Sequence, residues 1–317
     1  VGQYIVALTL VLFVTGLLIL VGGAESLVRG SSALALRLGI TPLVIGLTVV
    51  AFGTSSPELA VSIESALSGS SSIALGNVIG SNIANIGLIL GITAIIRPMS
   101  VQPSLLKQQI PLMIVISFVI WAMAADMAIT FWDGFILVAA LIGFLLHSYR
   151  SSKDSPEEEE LLPCEVQSLK DKTWFCILLI LIGLAGLIGG GMLFVRSAVE
   201  IAQIYNVDEA IIGLTIVAIG TSMPELATSV VAAIRKESDI AIGNIVGSNI
   251  FNILAILGIA SLISPLSGSG FSTADYLVMI SFAVILLPMA WSGRTLSRPE
   301  GTVLLLGYLS YMAYIWP

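Results

Sequence analysis

Two glutamates lie in the middle of long apolar segments of this chain. Glu58 and Glu225 each follow the motif Gly-Thr-Ser-x-Pro and are flanked by hydrophobic runs. A charged side chain at the centre of a bilayer costs about 2.5–3.5 kcal/mol on insertion scales, so such residues usually face a partner or a water-filled pathway. Because the chain carries this cost twice, at equivalent positions, the two carboxylates predict an intramembrane site for a cation.

Each glutamate directly follows a proline, Pro57 in the first motif and Pro224 in the second. Proline has no N–H, and its ring clashes with the carbonyl group four residues earlier, so each helix is expected to bend or break here. Carbonyl groups released by a break are tolerated at membrane depth only where protein or ions satisfy them. Hydroxyl groups add further oxygens beside each break, and they belong to Thr54, Ser55, Thr221 and Ser222.

A polar stripe follows each motif in the next apolar segment. Asn77, Ser81 and Asn85 are spaced four residues apart and therefore share one face of a helix. The later segment repeats this stripe with Asn244, Ser248 and Asn252. Small and polar residues also mediate ordinary helix packing in membranes. Their position beside a buried glutamate and a proline break instead favours a binding site.

The predicted site offers oxygen ligands without histidine or cysteine. Ligands of this kind suit Ca²⁺ and Na⁺, whereas softer ligands select zinc or copper. Ca²⁺ takes about 6–8 oxygens, and two carboxylates also neutralise its charge. A hydrolase built on Ser55 or Ser222 is disfavoured, because no histidine or lysine in the motif-bearing segments could act as the base. We therefore expect no enzymatic activity, no cofactor and no nucleic-acid partner, with Ca²⁺ and Na⁺ as transported substrates.

The composition predicts the class of protein that contains this site. Of 317 residues, 57% are hydrophobic and only 10% are charged, against about 25% charged in soluble proteins. A membrane-spanning helix needs about 20 consecutive apolar residues. The sequence predicts an all-α membrane protein with ten transmembrane helices, near residues 4–27, 41–67, 73–96, 105–126, 130–148, 173–197, 209–234, 239–264, 273–293 and 301–317.

An internal repeat predicts the architecture. Residues 45–62 and 212–229 are identical at 14 of 18 positions, at an offset of 167, and residues 73–86 match 240–253 at ten of 14. Each copy owns five spans, an odd number, so the copies must cross the membrane in opposite directions. Such inverted repeats bind substrates near the midplane, between their halves. We expect a first five-helix repeat at 1–150, an acidic loop at 151–172 and a second, inverted five-helix repeat at 173–317.

Basic residues predict the orientation, since cytoplasmic connections are enriched in lysine and arginine. Arg196 alone lies on one side of the predicted spans. The other 12 of the 13 basic residues lie on the opposite side: Arg29, Arg37, Arg97, Lys107, Arg150, Lys153, Lys170, Lys172, Arg235, Lys236, Arg294 and Arg298. We therefore expect a multi-pass protein of the cell membrane with a cytoplasmic acidic loop and both termini outside.

The paired motifs G-T-S-x-P-E and G-N-x-x-G-S-N-I-x-N resemble the two alpha repeats of the sodium/calcium exchanger family, within the calcium/cation antiporters. The resemblance implies a prokaryotic-type exchanger without a large regulatory loop. The sequence does not report the oligomeric state, and we expect a protein that is functional as a monomer. The resemblance also implies a Ca²⁺ site formed by Glu58, Glu225 and the backbone carbonyls of Thr54 and Thr221. It further implies one Na⁺ site at Ala51, Thr54, Ser55, Glu225 and Ser248, a second at Ala218, Thr221, Ser222, Glu58 and Ser81, and a middle lined by Asn85 and Asn252.

Two alternatives concern the coupling ion. Some relatives carry an aspartate at the position of Asn252, and the amide found here weakens the case for potassium co-transport. Exchange of Na⁺ for Ca²⁺ by alternating access is the leading hypothesis, while Ca²⁺/H⁺ antiport stays open because two glutamates can also load protons. Glycines at 22–23 and 189–191 predict that spans one and six slide over a rigid core formed by spans two, three, seven and eight, since glycines let helices approach closely.

Overall fold

A computed structural model describes residues 2–69, 71–124, 128–153, 173–204, 218–267 and 272–315, which are almost entirely helical. Seven helices in these ranges are long and apolar enough to cross a membrane, and the bent segment at 42–67 is an eighth candidate. The two other predicted spans contain the helices Met223–Ile234 and Arg298–Ile315. Residues 205–217, the start of predicted span seven, lie outside the described residues. The chain is a helical membrane protein.

The helices and strands divide into two sets, one on each side of the acidic loop. The first half contains α1 (Gly2–Leu38), α2 (Pro42–Ile45), π1 (Gly46–Val50), α3 (Ala51–Thr54), α4 (Ser56–Leu67), α5 (Ser71–Ala84), π2 (Asn85–Leu90), α6 (Gly91–Ile96), β1 (Met99–Ser100), π3 (Leu105–Gln109), α7 (Ile110–Met123), β2 (Ala128–Ile129) and α8 (Phe131–Lys153). The second half contains α9 (Thr173–Ile204), α10 (Ala218–Thr221), α11 (Met223–Ile234), α12 (Ser238–Phe251), π4 (Asn252–Leu257), α13 (Gly258–Ile263), β3 (Leu266–Ser267), α14 (Thr273–Trp291), a 3₁₀ turn (Ser292–Arg294), β4 (Thr295–Leu296) and α15 (Arg298–Ile315).

The sequence repeat has a counterpart in these elements. Helices α3 to α6, with π2 between α5 and α6, begin and end 167 residues before α10 to α13 and π4. The same offset relates β1 to β3 and β2 to β4. Strand β1 pairs antiparallel with β4, and β2 pairs with β3, so each small sheet takes one strand from each half.

The helices of the two halves interlock. Helix α8 packs against α13 and π4 of the second half, and α15 packs against α6 and π2 of the first. Glycines permit this close approach: a Cβ on Gly301 would lie 2.7 Å from the Gly91 carbonyl oxygen, and one on Gly134 would lie 2.7 Å from the Gly258 carbonyl oxygen. The apolar 18-residue stretches within the spans Ser238–Ile263 and Ile73–Ile96 are 89% and 72% buried, so these two spans form the centre of the molecule.

Helices α1 and α9 lie at the periphery and pack against each other. Only 28% of an 18-residue apolar stretch of each helix is buried. A Cβ on Gly23 would lie 2.7 Å from the Leu187 backbone nitrogen, and one on Gly190 would lie 2.6 Å from the Leu20 backbone nitrogen. Two of the glycines expected to face the other spans therefore serve the α1–α9 contact instead, and α1 and α9 form a closely packed pair.

Basic residues from several helices meet at one end of the molecule. The Glu25 carboxylate of α1 forms ion pairs with Arg29, at 2.9 Å, and with Arg235, which follows α11. Two further contacts at this end run from Arg97 to the Ile234 carbonyl and from Arg298 to the Ile95 carbonyl, at 3.5 and 3.0 Å. Arg196 instead pairs with Glu200, which accepts a hydrogen bond from Thr9 near the start of α1. Arg29 and Arg196 thus lie at different ends of the α1–α9 pair.

Glu237 is buried at the basic end, in the turn between α11 and α12, with 6% of its surface exposed. Burial raises the pKa of Glu237 to about 7, nearby Asp239 acts in the same direction, and the Ser32 hydroxyl and Arg235 partly oppose the shift. A carboxyl group whose pKa is raised by folding binds its proton more tightly in the folded state. Its contribution to stability is therefore lost as pH rises from about 4.5 to about 7.

We predict that Glu237→Gln removes part of the pH dependence of thermal stability. The wild-type protein in detergent should lose stability between pH 5 and pH 8, by at most about 3 kcal/mol from this group, and the Gln variant should lose less. Thermal unfolding at both pH values measures the difference. Glu64→Gln, at an exposed position on α4, should follow the wild type. Equal pH dependence in all three proteins would contradict the prediction.

Candidate functional site

The predicted helix breaks are present at both motifs. The segments on the two sides of Ser55 are bent by 47°, and Ser55 itself has φ −82° and ψ 6°. Ser222 has nearly the same conformation, with φ −90° and ψ 9°. Pro57 and Pro224 lie in the first turn of the following helices, α4 and α11, where a missing N–H costs nothing. Each motif therefore ends one short helix and begins another.

The two glutamates occupy the first turns of α4 and α11. Glu58 and Glu225 are each only 1% exposed. The first turn of a helix leaves backbone N–H groups unpaired and carries partial positive charge, which favours a carboxylate. Each carboxylate also binds the serine of the opposite break: Ser55 Oγ donates to Glu225 Oε1 at 3.0 Å, and Ser222 Oγ donates to Glu58 Oε1 at 3.4 Å. The two breaks are thus joined into one site.

Four buried oxygens of the predicted site residues have no hydrogen-bond partner among the described residues. They are Glu58 Oε2, Glu225 Oε2, Asn85 Oδ1 and Asn252 Oδ1, two from each half at equivalent positions. Nearly all buried polar atoms in folded proteins have a partner, so a set of four acceptors without donors requires an explanation. A bound cation supplies one, because hard cations bind carboxylate and amide oxygens.

Asparagines on the neighbouring helices hold the backbone at the breaks. Asn77 Nδ2 donates to the Glu58 carbonyl oxygen at 3.1 Å, and Asn244 Nδ2 donates to the Glu225 carbonyl oxygen at 3.4 Å. Both contacts stay within one half of the chain. Two asparagines of the predicted polar stripes therefore brace the glutamate turns.

Thr54 links the first break to the second half. Its Oγ1 donates to Asn244 Oδ1 at 3.0 Å and lies 3.5 Å from Ser248 Oγ. The Ala51 carbonyl oxygen accepts the Ser55 N–H at 3.0 Å and contacts Thr54 Oγ1 at 3.3 Å. The structure thus brings together four of the residues named for one Na⁺ site, and Ser55 connects them to the fifth, which is Glu225.

The second predicted Na⁺ site is described less completely. Ser81 is buried on α5, Ser222 bonds to Glu58 as given above, and Thr221 is half-buried at the end of α10. Only the backbone of Ala218, the first residue of α10, belongs to the described residues. Among the described residues there is no cluster of three or more histidine, cysteine, aspartate or glutamate side chains that could form a separate metal site.

Two features of the site were not predicted from the sequence. Asn85 and Asn252 each begin a π-helical turn, π2 and π4, rather than continuing a regular helix; such turns are frequent at functional sites. Asn82 and Asn249, which lie outside the predicted stripes, contact the amides of Asn252 and Asn85. The only available signal was that both asparagines are retained in the two copies of the G-S-N-I motif.

Comparison with known proteins identifies the family. The family model described as sodium/calcium exchanger protein matches residues 8–150 and 175–316, which together span both halves. This chain belongs to the sodium/calcium exchanger family. Members of this family are transporters, not enzymes, and Na⁺ and Ca²⁺ are their substrates.

Full-length relatives and a solved structure agree with this membership. The chain is 37% identical over 302 residues to the putative antiporter CaxA of Alkalimonas amylolytica, covering 93% of this chain and 95% of the relative. It is 30% identical over 350 residues to the sodium/calcium exchanger MaX1 of Methanosarcina acetivorans, covering 98% and 99% of the two chains. A structure of the sodium-calcium exchanger NCX_Mj matches with a TM-score of 0.86 and 32% identity over 98% of this chain and 100% of that chain.

Proposed function

We propose that this protein exchanges Na⁺ for Ca²⁺ across the cell membrane and binds both ions at the site between the two helix breaks. The four unpaired oxygens of Glu58, Glu225, Asn85 and Asn252 carry this proposal. Two carboxylates match the charge of one Ca²⁺, and neutral amide, hydroxyl and carbonyl oxygens complete a hard-cation site. The relative MaX1, which is named a sodium/calcium exchanger, supports the same choice of ions.

One set of ligands would serve both ions. Ser55 and Thr54 lie beside Glu225 and Ser248, so a Na⁺ at these oxygens would occupy part of the Ca²⁺ ligand set. Exchange then needs no separate pathway, because Na⁺ displaces Ca²⁺ by competing for the carboxylates.

The proposed architecture is ten transmembrane helices in two inverted five-helix repeats, at 1–150 and 173–317, joined by the loop at 151–172. The elements related by the offset of 167 support it, as do the two sheets that each combine one strand from each half. An odd number of spans in each repeat requires the inversion. The ligand set would then lie near the midplane, where the broken helices of both halves meet.

We further propose that the basic end faces the cytoplasm and that both termini lie outside. The contacts that gather Arg29, Arg97, Arg235 and Arg298 at one end support this orientation. Arg196 is held instead near the start of α1, roughly 30 Å along the helix from Arg29. This distance is about the thickness of the hydrocarbon core.

Alternating access would come from movement of the α1–α9 pair over the remaining helices. The pair is peripheral and closely packed within itself, so it can move as one body. Where α9 crosses the breaks, it places the Leu184 and Val195 side chains directly on Gly53 and Gly220. A glycine has no side chain that would interlock with Leu184 or Val195. The α9 side chains could therefore slide past the two glycines when the α1–α9 pair moves.

The decisive experiment is Ca²⁺ uptake into proteoliposomes of the purified protein under an outward Na⁺ gradient, with pH equal on both sides. We expect uptake that follows the Na⁺ gradient and stops when a Na⁺ ionophore collapses it. Calorimetry should also show that apparent Ca²⁺ affinity falls by more than about tenfold for a tenfold rise in Na⁺, because more than one Na⁺ displaces each Ca²⁺.

Ca²⁺/H⁺ antiport on the same scaffold predicts the opposite pattern. Uptake would then follow a pH gradient in the absence of Na⁺, and Ca²⁺ affinity would depend on pH but not on Na⁺. Liposomes loaded with choline in place of Na⁺, with and without a pH gradient, separate the two mechanisms. Uptake driven by pH alone would contradict the proposed coupling to Na⁺.

A further inference from the structure

Two asparagines cross-connect the centre of the molecule. Asn82 and Asn249 are 2% and 1% exposed and lie at equivalent positions on α5 and α12. Asn82 Nδ2 donates to the Asn249 backbone carbonyl at 3.4 Å, and Asn249 Nδ2 donates to the Asn82 backbone carbonyl at 3.5 Å. The same nitrogens contact the sulfur atoms of Met279, at 3.9 Å, and Met113, at 3.5 Å.

These contacts determine which way each amide points. A backbone carbonyl can only accept a hydrogen bond, so the NH₂ group of Asn82 must face the Asn249 carbonyl and its Oδ1 must point away. That oxygen accepts from Asn252 Nδ2 at 3.0 Å. In the same way, Asn249 Oδ1 accepts from Asn85 Nδ2 at 3.0 Å. The side-chain nitrogen of each of these four asparagines therefore donates a hydrogen bond to a residue of the opposite half.

These contacts also fix the orientation of the amide oxygens of Asn85 and Asn252. With their nitrogens held by Asn249 and Asn82, their Oδ1 atoms are turned the other way, and in the described part of the chain these oxygens have no hydrogen-bond partner. A cation binds an amide only through oxygen, and a flipped amide would present N–H groups to it instead. The orientation of these two amides thus decides whether the middle of the site contains two ligands or two repulsive groups.

We propose that Asn82 and Asn249 are positioning residues, which hold the amide oxygens of Asn252 and Asn85 toward the transported cation. This inference rests on the proposed function, since it assigns a role to residues that do not touch the ion. This role would also connect the two halves of the chain, because a residue of each half orients a cation ligand of the other half.

The test is ion binding to purified Asn82→Leu and Asn249→Leu variants, measured by calorimetry with Ca²⁺ and with Na⁺. Leucine keeps the approximate volume but accepts no hydrogen bond, so the partner amide is released. Removing a group that orients a metal ligand typically costs about 10–100-fold in metal affinity, and we expect a loss of that size for Ca²⁺. Met279→Leu removes only the long sulfur contact to Asn82 and is the matched control, with affinity expected to stay within about twofold of wild type.

The same substitution in a second variant, Asn252→Asp, separates a loss of amide orientation from a general packing defect. Aspartate in place of Asn252 presents an oxygen in either orientation and has no N–H to misdirect. Asn82→Leu should therefore cost little or nothing in the Asn252→Asp background, whereas a packing defect would cost the same factor in both backgrounds. If the leucine variants do not fold, Asn82→Ser removes the same acceptor with a side chain too short to reach Asn252, and the same criterion applies.

The outcomes distinguish the two proposals. Unchanged Ca²⁺ affinity in Asn82→Leu, or an equal loss in both backgrounds, would overturn the positioning role while leaving the exchanger proposal intact. A wild-type protein that binds neither Ca²⁺ nor Na⁺ would contradict the proposed function and this inference with it.

Discussion

Glu58→Gln and Glu225→Gln should each abolish Ca²⁺ transport without unfolding the protein. Each glutamate keeps one oxygen bonded to a serine of the opposite break, and its other oxygen has no hydrogen-bond partner among the described residues. Glutamine can retain the serine contact through its oxygen, but it places an NH₂ group where the cation would bind. Removing one partner of a buried charged interaction costs about 3–5 kcal/mol, which corresponds to a loss of more than about 100-fold in affinity.

Proteoliposome uptake and calorimetry of both variants measure this loss. The control is again Glu64→Gln, since Glu64 lies on α4 with Glu58 but is exposed, and it should transport at the wild-type rate. Thermal unfolding in ion-free buffer should give similar midpoints for all of these proteins. Near-normal Ca²⁺ flux in either buried variant would show that the assigned carboxylate is not a ligand.

Fixing α1 to α11 should stop exchange but preserve ion binding. Glu25 of α1 contacts Arg235 at the end of α11, so this pair joins the proposed moving body to the helices that carry the site. Cysteines at both positions, in a background with Cys164 and Cys176 replaced by serine, can be linked by a short bifunctional thiol reagent. The linked protein can no longer move α1 past α11, and Ca²⁺ uptake should fall to the level of empty liposomes. Ca²⁺ binding should persist, because neither position belongs to the ligand set.

A second cross-link provides the matched control. The Phe13 and Phe194 rings of α1 and α9 lie 4.4 Å apart between centroids. Cysteines at these positions, once linked, join two helices that are proposed to move together. Exchange should therefore continue in this protein. Full exchange in the protein linked between positions 25 and 235 would place the moving part elsewhere, and loss of exchange in the control would show that α1 and α9 move relative to each other.

Local properties of the sequence were sufficient to predict the class of protein and the positions of the two helix breaks. Long apolar segments predict membrane-spanning helices, and a proline, which has no N–H, favours a bend or a break in a helix. The break at Ser55 and the buried positions of Glu58 and Glu225 follow from these local rules. The repeat also predicted that each element of one half would recur in the other, because similar sequences adopt similar secondary structure. The helix ends were less predictable: α1 extends to Leu38, beyond the predicted span, because polar residues near a helix end do not by themselves terminate it.

The contacts between the halves depended on the tertiary structure. No periodicity in the sequence indicates that Ser55 binds Glu225 rather than Glu58, or that Asn85 donates to Asn249, since these partners are more than 160 residues apart. The glycines at 22–23 and 189–191 were recognisable as sites of close approach, but only packing showed that Gly23 and Gly190 face the α1–α9 contact. The sequence by itself determined which oxygens are available at the site, because residue type and helix breaks are local properties. The tertiary structure decided which of those oxygens remain unpaired, because an amide or carboxylate is oriented by whichever donors the opposite half brings within reach.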